Sequence, residues 1–152
     1  MYKIYLEENT SSKELLTKVL QENYIANKEI IYNAYGKPYL KNNELYFNIS
    51  HDKNITVLVT SDNEIGVDLE YLTYRPSVVK KYFNLKEQNI IKKSRQKEYD
   101  FTKIWVMKEA YVKMKGMGIT YGLQNVDTVV LANKFEIIDK DDYLIAVCRN
   151  GV

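Results

Sequence analysis

Apolar positions recur every second residue through much of the first half of the chain. Beyond residue 75 they recur every three to four. Alternation of period two marks a half-buried strand, and a period of 3.6 marks an amphipathic helix. Residues 2–7, "YKIYLE", read as a first strand. Residues 10–23 read as a helix whose Ser11 and Glu14 fit a capping box, with Leu15, Leu16, Val19 and Leu20 as its apolar stripe. A strand over residues 28–35 runs into the turn signal "YGKPYLKNNE". Residues 45–50, 55–61 and 64–72 follow as three strands with short connections. Pro76 opens a helical region that covers residues 75–84, 85–96 and 97–116 and stops at Gly116 and Gly118. Residues 125–132, 134–139 and 142–150 read as closing strands.

This order of elements predicts an α+β fold with mostly antiparallel sheets packed on long helices. Each half of the chain pairs a helical segment with a small sheet. The expectation is one domain over residues 1–152, built from two similar α/β halves, about 1–71 and 72–152, in a pseudo-twofold arrangement.

One helix departs from ordinary amphipathicity. On a wheel, Ile104, Met107, Ala110, Tyr111 and Met114 fall on one side of "WVMKEAYVKMKG", and Trp105 and Val112 lie nearly opposite. Lys108 and Lys115 share a narrow edge. Such a helix is buried on more than one face, and Glu109 would then be partly desolvated. A desolvated carboxylate needs a partner or a metal. Lys113, four residues on, is one available partner. In "GVDLE", Asp68 and Glu70 share a strand face while Val67 and Leu69 point to the core. Paired carboxylates also occur on solvated strand faces, which is the commoner situation. With Glu109 they form a hard-oxygen set suited to Mg²⁺ and a phosphate-bearing ligand.

Composition narrows the classes. Of 152 residues, 45% are apolar and 28% charged, as in globular domains, and the net charge of +2 gives no broad nucleic-acid or membrane footprint. Neither partner is expected. Cys148 is the only cysteine, so no internal disulfide and no cysteine cage can form. The charged N-terminus does not read as a secretory signal, and a reducing cytoplasm is the simplest setting. His51, the only histidine, follows Ser50 at a strand end, and Lys37 sits in a rigid "GKP" turn. Each suits a phosphate, but in isolation each is more often an ordinary loop or turn residue. The basic run "IKKSRQK" is a solvated face or a surface for an acidic partner.

The segments "YGKPYL", "FNISHD", "IGVDLE", "YFNLKEQ", "WVMKEAYVKMKGMG" and "YLIAVC" run from Tyr35 to Cys148, about three quarters of the chain. Together they resemble the 4′-phosphopantetheinyl transferases, and the mid-chain GVD after GKP and SH resembles the single-chain Sfp type as a short member. The resemblance implies transfer of the phosphopantetheine arm of coenzyme A to a serine of an apo acyl or peptidyl carrier protein, with Mg²⁺ required and 3′,5′-ADP released. It implies Asp68, Glu70 and Glu109 as metal ligands. Tyr35, Gly36, Lys37, Pro38, Ser50, His51, Lys108 and Lys113 would bind coenzyme A. Glu109, Lys113 and Glu87 would be catalytic, Glu87 as the base for the attacking serine and Lys113 for leaving-group charge. The basic stretch from Lys86 to Lys97 is a candidate carrier surface.

The chain departs from the family pattern in a short N-terminal half, where Lys13 and Lys18 on the first helix are the only candidates for the 3′-phosphate and neither matches the pattern. It departs again at Asp52, an acid where the family has a small hydroxyl residue, which implies weaker phosphate binding. A monomer is expected, with a dimer as the alternative. A non-catalytic module binding coenzyme A or carrier proteins is the competing expectation.

Overall fold

Two three-stranded antiparallel sheets share one apolar core, and each carries a helix on its outer face. The computed structural model describes residues 1–150, except for the side chains of Ile119 and Thr120. In chain order the elements are β1 (Tyr2–Glu8), α1 (Ser12–Glu22), β2 (Ile30–Tyr32), β3 (Pro38–Leu40), β4 (Tyr46–Asp52), β5 (Ile55–Ser61), β6 (Ile65–Tyr71), α2 (Pro76–Tyr82), α3 (Leu85–Lys93), α4 (Lys97–Lys115), β7 (Phe135–Asp139) and β8 (Tyr143–Arg149). Short 3₁₀ turns lie between α4 and β7. Among the described residues no helix is long and apolar enough to cross a membrane.

The first sheet has the order β1-β5-β4 and the second β6-β8-β7. In each, the first strand is an edge and the last strand is central, with the helices inserted after the first strand. The two sheets thus have the same strand order, and β6 belongs to the second of them. β6 ends the first half in the sequence pattern, but its backbone pairs with β8 from Ile65↔Arg149 to Tyr71↔Tyr143. The α+β class with antiparallel sheets is as the periodicity predicts.

The pleat sorts the side chains. Ile55, Val57 and Val59 of β5 meet Ile65, Val67 and Leu69 of β6 and Ile145 and Val147 of β8 between the sheets. On the outer face of the first sheet, Leu58 packs on Leu15 and Val19 of α1, whose capping box forms as predicted. On the outer face of the second, Leu144, Ala146 and Cys148 pack on α4.

β4 and β6 meet along a seam with no backbone ladder. The side chains of Asn48, Ser50 and Asp52 accept hydrogen bonds from the amides of Val67 (2.8 Å), Leu69 (3.2 Å) and Tyr71 (2.9 Å). Buried strand-edge amides need partners, and every second residue of β4 supplies one. Asp52 is therefore a seam residue.

Two strand expectations change. The strand predicted over 125–132 is a run of turns. Asp127 Oδ1 accepts from the amides of Val129 and Val130, and its carbonyl accepts from Leu131. This local capture prevails over the β-propensity of the valine pair. The strand predicted over 28–35 shortens to β2 because Asn33 Oδ1 accepts from the amides of Tyr35 and Lys37 and closes a tight turn. The chain then returns as β3, with Pro38 at its first position opposite Tyr32, where a missing amide is tolerated.

Candidate functional site

Gly66 decides how close α4 comes to β6. A Cβ built there would lie 2.0 Å from the Ala110 carbonyl oxygen and 2.4 Å from the Met114 nitrogen. Only the absence of a side chain lets the helix backbone rest on the strand. Gly66, Asp68 and Glu70 share the face turned to α4, so this approach puts Glu109 within electrostatic reach of the strand's two carboxylates.

Burial raises the pKa of all three acids, and neighbouring negative charge adds to it at Glu70 and Glu109. Glu109 is pushed up to about 7, first by burial and then by the charges of Asp68 and Glu70. Glu70 is also pushed up to about 7, by burial and by Asp68 and Asp52, with Arg75 opposing. Burial raises Asp68 as well. Asp68 accepts a hydrogen bond from Ser50 Oγ at 3.0 Å and lies 3.7 Å from the Lys113 ammonium. Burial lowers the pKa of Lys113, whose ammonium donates to the Ile49 carbonyl at 2.8 Å. Lys113 therefore bonds across to β4 and makes no ion pair with Glu109. Among the described residues Glu109 has neither an ion pair nor a side-chain hydrogen bond.

A cavity of about 550 Å³ opens between the turn after β2, β4 and α4. Tyr35, Gly36, Lys37, Pro38, Glu109 and Lys113 all line it, with Trp105, Val112 and Tyr82 giving apolar wall. The Lys37 ammonium is engaged: it donates to Glu64 at 2.8 Å and to the Met114 carbonyl at 3.0 Å, while Asn33 donates to the Gly116 carbonyl at 2.7 Å. The turn thus caps the end of α4, where orphan carbonyls need donors, and fixes the turn of helix that carries Lys113. Asn33 and Glu64 carried no recognisable sequence signal for this.

Three expected site residues stand elsewhere. Lys108 and Glu87 are both fully buried and paired at 2.9 Å. The Lys108 ammonium also donates to the carbonyls of Leu123 (3.1 Å) and Val126 (2.5 Å). Neither residue lines the cavity. Lys108 ties α4 to α3 and to the 123–126 turn, and its donors are used up. Glu87 Oε1 takes a hydrogen bond from Lys108, while Oε2 has only the ion pair, with no hydrogen bond aimed at it. Burial raises Glu87 and lowers Lys108. His51 is exposed beside the N-terminus of α1, among Thr10, Ser11 and Lys53. Ser50 and His51 are adjacent on a strand, so the pleat sends Ser50 to Asp68 and His51 to the opposite face.

Arg75 is a site residue the sequence did not flag. Its Nη2 donates to Glu70 at 2.7 Å. Two of the three carboxylates therefore have a protein cation and Glu109 has none. No three acidic, histidine or cysteine side chains among the described residues converge to metal-holding distance as they stand. The donor chemistry nevertheless fits a divalent cation. Three hard carboxylates face one region, and their mutual repulsion is the charge a hard cation would neutralise.

The family model described as the 4′-phosphopantetheinyl transferase superfamily matches residues 64–148, the segment from β6 to β8 that holds all three carboxylates. The chain is 33% identical over 84 residues to the 4′-phosphopantetheinyl transferase psf-1 of Bacillus pumilus, covering 51% of this chain and 35% of that protein. It is 38% identical over 80 residues to the 4′-phosphopantetheinyl transferase HetI of a Nostoc species, covering 47% of this chain and 33% of that one. The match thus spans about a third of the length of each relative.

Proposed function

Since the chain belongs to the 4′-phosphopantetheinyl transferase superfamily, we propose that it transfers the 4′-phosphopantetheine arm of coenzyme A to a serine hydroxyl of an apo carrier protein. The observation that supports this reading is the close approach of α4 to β6 at Gly66, which puts Glu109 within electrostatic reach of Asp68 and Glu70 beside the 550 Å³ cavity that Glu109 and Lys113 line. Mg²⁺ held by Asp68, Glu70 and Glu109 would offset charge on the pyrophosphate.

This chain's own residues supply alignment and proton transfer, which is most of what phosphoryl-type transfer asks of a protein. The serine oxygen attacks the phosphorus of the phosphopantetheine arm, and the bond to 3′,5′-ADP breaks. Lys113 stands at the cavity wall to meet charge on the leaving phosphate. We assign acceptance of the serine proton to Glu109, because it lines the cavity and Glu87 does not. Glu87 is a poor base here: it is sealed in its pair with Lys108. Exposed Lys92, Lys93 and Arg95 offer a basic face to an acidic carrier. Reversing these charges is expected to raise KM for the carrier and leave KM for coenzyme A unchanged.

The test mixes the protein, coenzyme A, Mg²⁺ and a set of apo carrier proteins and reads the carrier mass. A gain of one phosphopantetheine is expected, and Glu109→Gln should remove most of it. No gain on any carrier, with coenzyme A still bound, would replace the enzyme reading with that of a binding module.

A further inference from the structure

Arg75 has no place in the reaction proposed above, yet it touches the carboxylate cluster. It sits five residues after Glu70, just before Pro76 starts α2. Its guanidinium carbon lies 5.4 Å from the Phe101 ring centre and 5.1 Å from that of Trp105. Those rings stack 6.2 Å apart at an interplanar angle of 11°. A planar cation seated on two aromatic rings is held in place even when its hydrogen-bond partner leaves.

The contact with Glu70 is a single one, from Nη2 to Oε1 at 2.7 Å, and Nε is buried without a hydrogen-bond partner. A permanent brace would use the two-pronged fork that arginine offers a carboxylate. A one-pronged contact on an aromatic seat is easier to exchange. Any cation that needs this Glu70 oxygen must take it from Arg75.

Resting on the metal assignment made above, we propose that Arg75 is an internal counter-cation that occupies Glu70 until a divalent cation displaces it, and so sets the metal affinity of the site. Two ligands that exclude each other at one group are linked: removing one tightens the other by the strength of their competition. The opposite role, in which Arg75 orients Glu70 for the metal, makes the opposite prediction. Loss of such an outer partner weakens metal binding, by about 10- to 100-fold.

The experiment titrates Mg²⁺ into the whole chain, with and without coenzyme A, by calorimetry. Emission of Trp105, the single tryptophan, is followed in parallel. Wild type is compared with Arg75→Gln and Arg75→Lys. Arg75→Gln should bind Mg²⁺ about fivefold tighter or more, and Arg75→Lys should tighten less because the charge remains. In wild type the Trp105 emission should change in step with binding, as the cation over its ring loses its Glu70 partner, and this change should be lost in Arg75→Gln. Wild-type binding with equal or weaker binding in Arg75→Gln would overturn the inference and leave the metal assignment standing. If Arg75→Gln does not fold, the same comparison with Arg75→Lys decides. No Mg²⁺ binding to wild type or to either variant would remove the metal assignment and this inference together.

Discussion

Replacing Gly66 by alanine sets two effects of opposite sign against each other. Intrinsic preference favours alanine, because glycine inside a strand costs roughly 0.5–1 kcal/mol. Packing opposes it. The new Cβ would stand 2.0 Å from the Ala110 oxygen, 2.4 Å from the Met114 nitrogen and 2.9 Å from the Met114 Cα. These are helix backbone atoms, so no rotamer change relieves them. Restoring a contact of about 3.0–3.4 Å requires α4 to retreat from β6 by roughly 1.0–1.4 Å, and overpacking of a rigid core costs about 1–3 kcal/mol. At the upper end the net loss is about 2 kcal/mol, or roughly 4–8 °C in Tm at about 2–4 °C per kcal/mol for a chain of this size. The same retreat draws Glu109 from Asp68 and Glu70, and a misplacement near 1 Å can lower turnover by about 10²-fold. Thermal unfolding of purified Gly66→Ala reads the sign directly. A Tm equal to or above that of wild type would refute the argument, because propensity would then have prevailed over the close approach.

Lys108→Met leaves Glu87 as an unpaired buried carboxylate and should cost about 3–5 kcal/mol in urea unfolding, whereas adding Glu87→Leu should restore much of it. An unchanged midpoint in the single variant would refute the buried pair. Without metal, stability should fall as pH rises through about 7. Glu70 and Glu109 titrate near 7 when folded against an ordinary 4.5. The folded chain therefore holds extra protons between those values, and the benefit is complete below about 4.5 and lost above 7. Glu109→Gln should flatten this slope between pH 5 and 7; an unaltered slope would remove Glu109 as a source of it.

The fold was legible where its signal is local. The capping box of α1 lies within four residues, and β4, β5 and β6 announce themselves by alternation. The glycine stop of α4 is equally local: Gly116 has φ 65°, a left-handed conformation that suits glycine. What failed was either a local contest or a distant pairing. The valine pair at 129–130 looks like strand until the Asp127 side chain is seen to take their amides. β6 pairs with β8, more than seventy residues away along the chain, and alternation says nothing about partners. The seam between β4 and β6 was invisible for the same reason. Asn48, Ser50 and Asp52 read as polar strand residues, and only the neighbouring strand's unpaired amides explain them.

At the site, the carboxylates were readable and the cations were not. Asp68 and Glu70 are fixed by strand period, and Glu109 stands out because its helix is apolar nearly all round. Those are properties of the element that carries the residue. A lysine's role depends instead on which acceptors lie within reach of a long side chain, and these come from remote segments. Lys108 goes to Glu87, Leu123 and Val126, and Lys37 goes to Glu64 and Met114. Both resembled phosphate ligands in sequence and both are engaged in holding α4. Arg75 carried no motif, yet it faces Glu70. The charge count follows from these placements. Asp68 has Lys113 and Glu70 has Arg75, while Glu109 has no cation of its own and a proton affinity raised to about 7. Three acids with two partially engaged cations leave the cluster one positive charge short at the cavity wall. The deficit lies at the residue that Gly66 brings onto the strand, so the close approach and the charge imbalance are two parts of one arrangement.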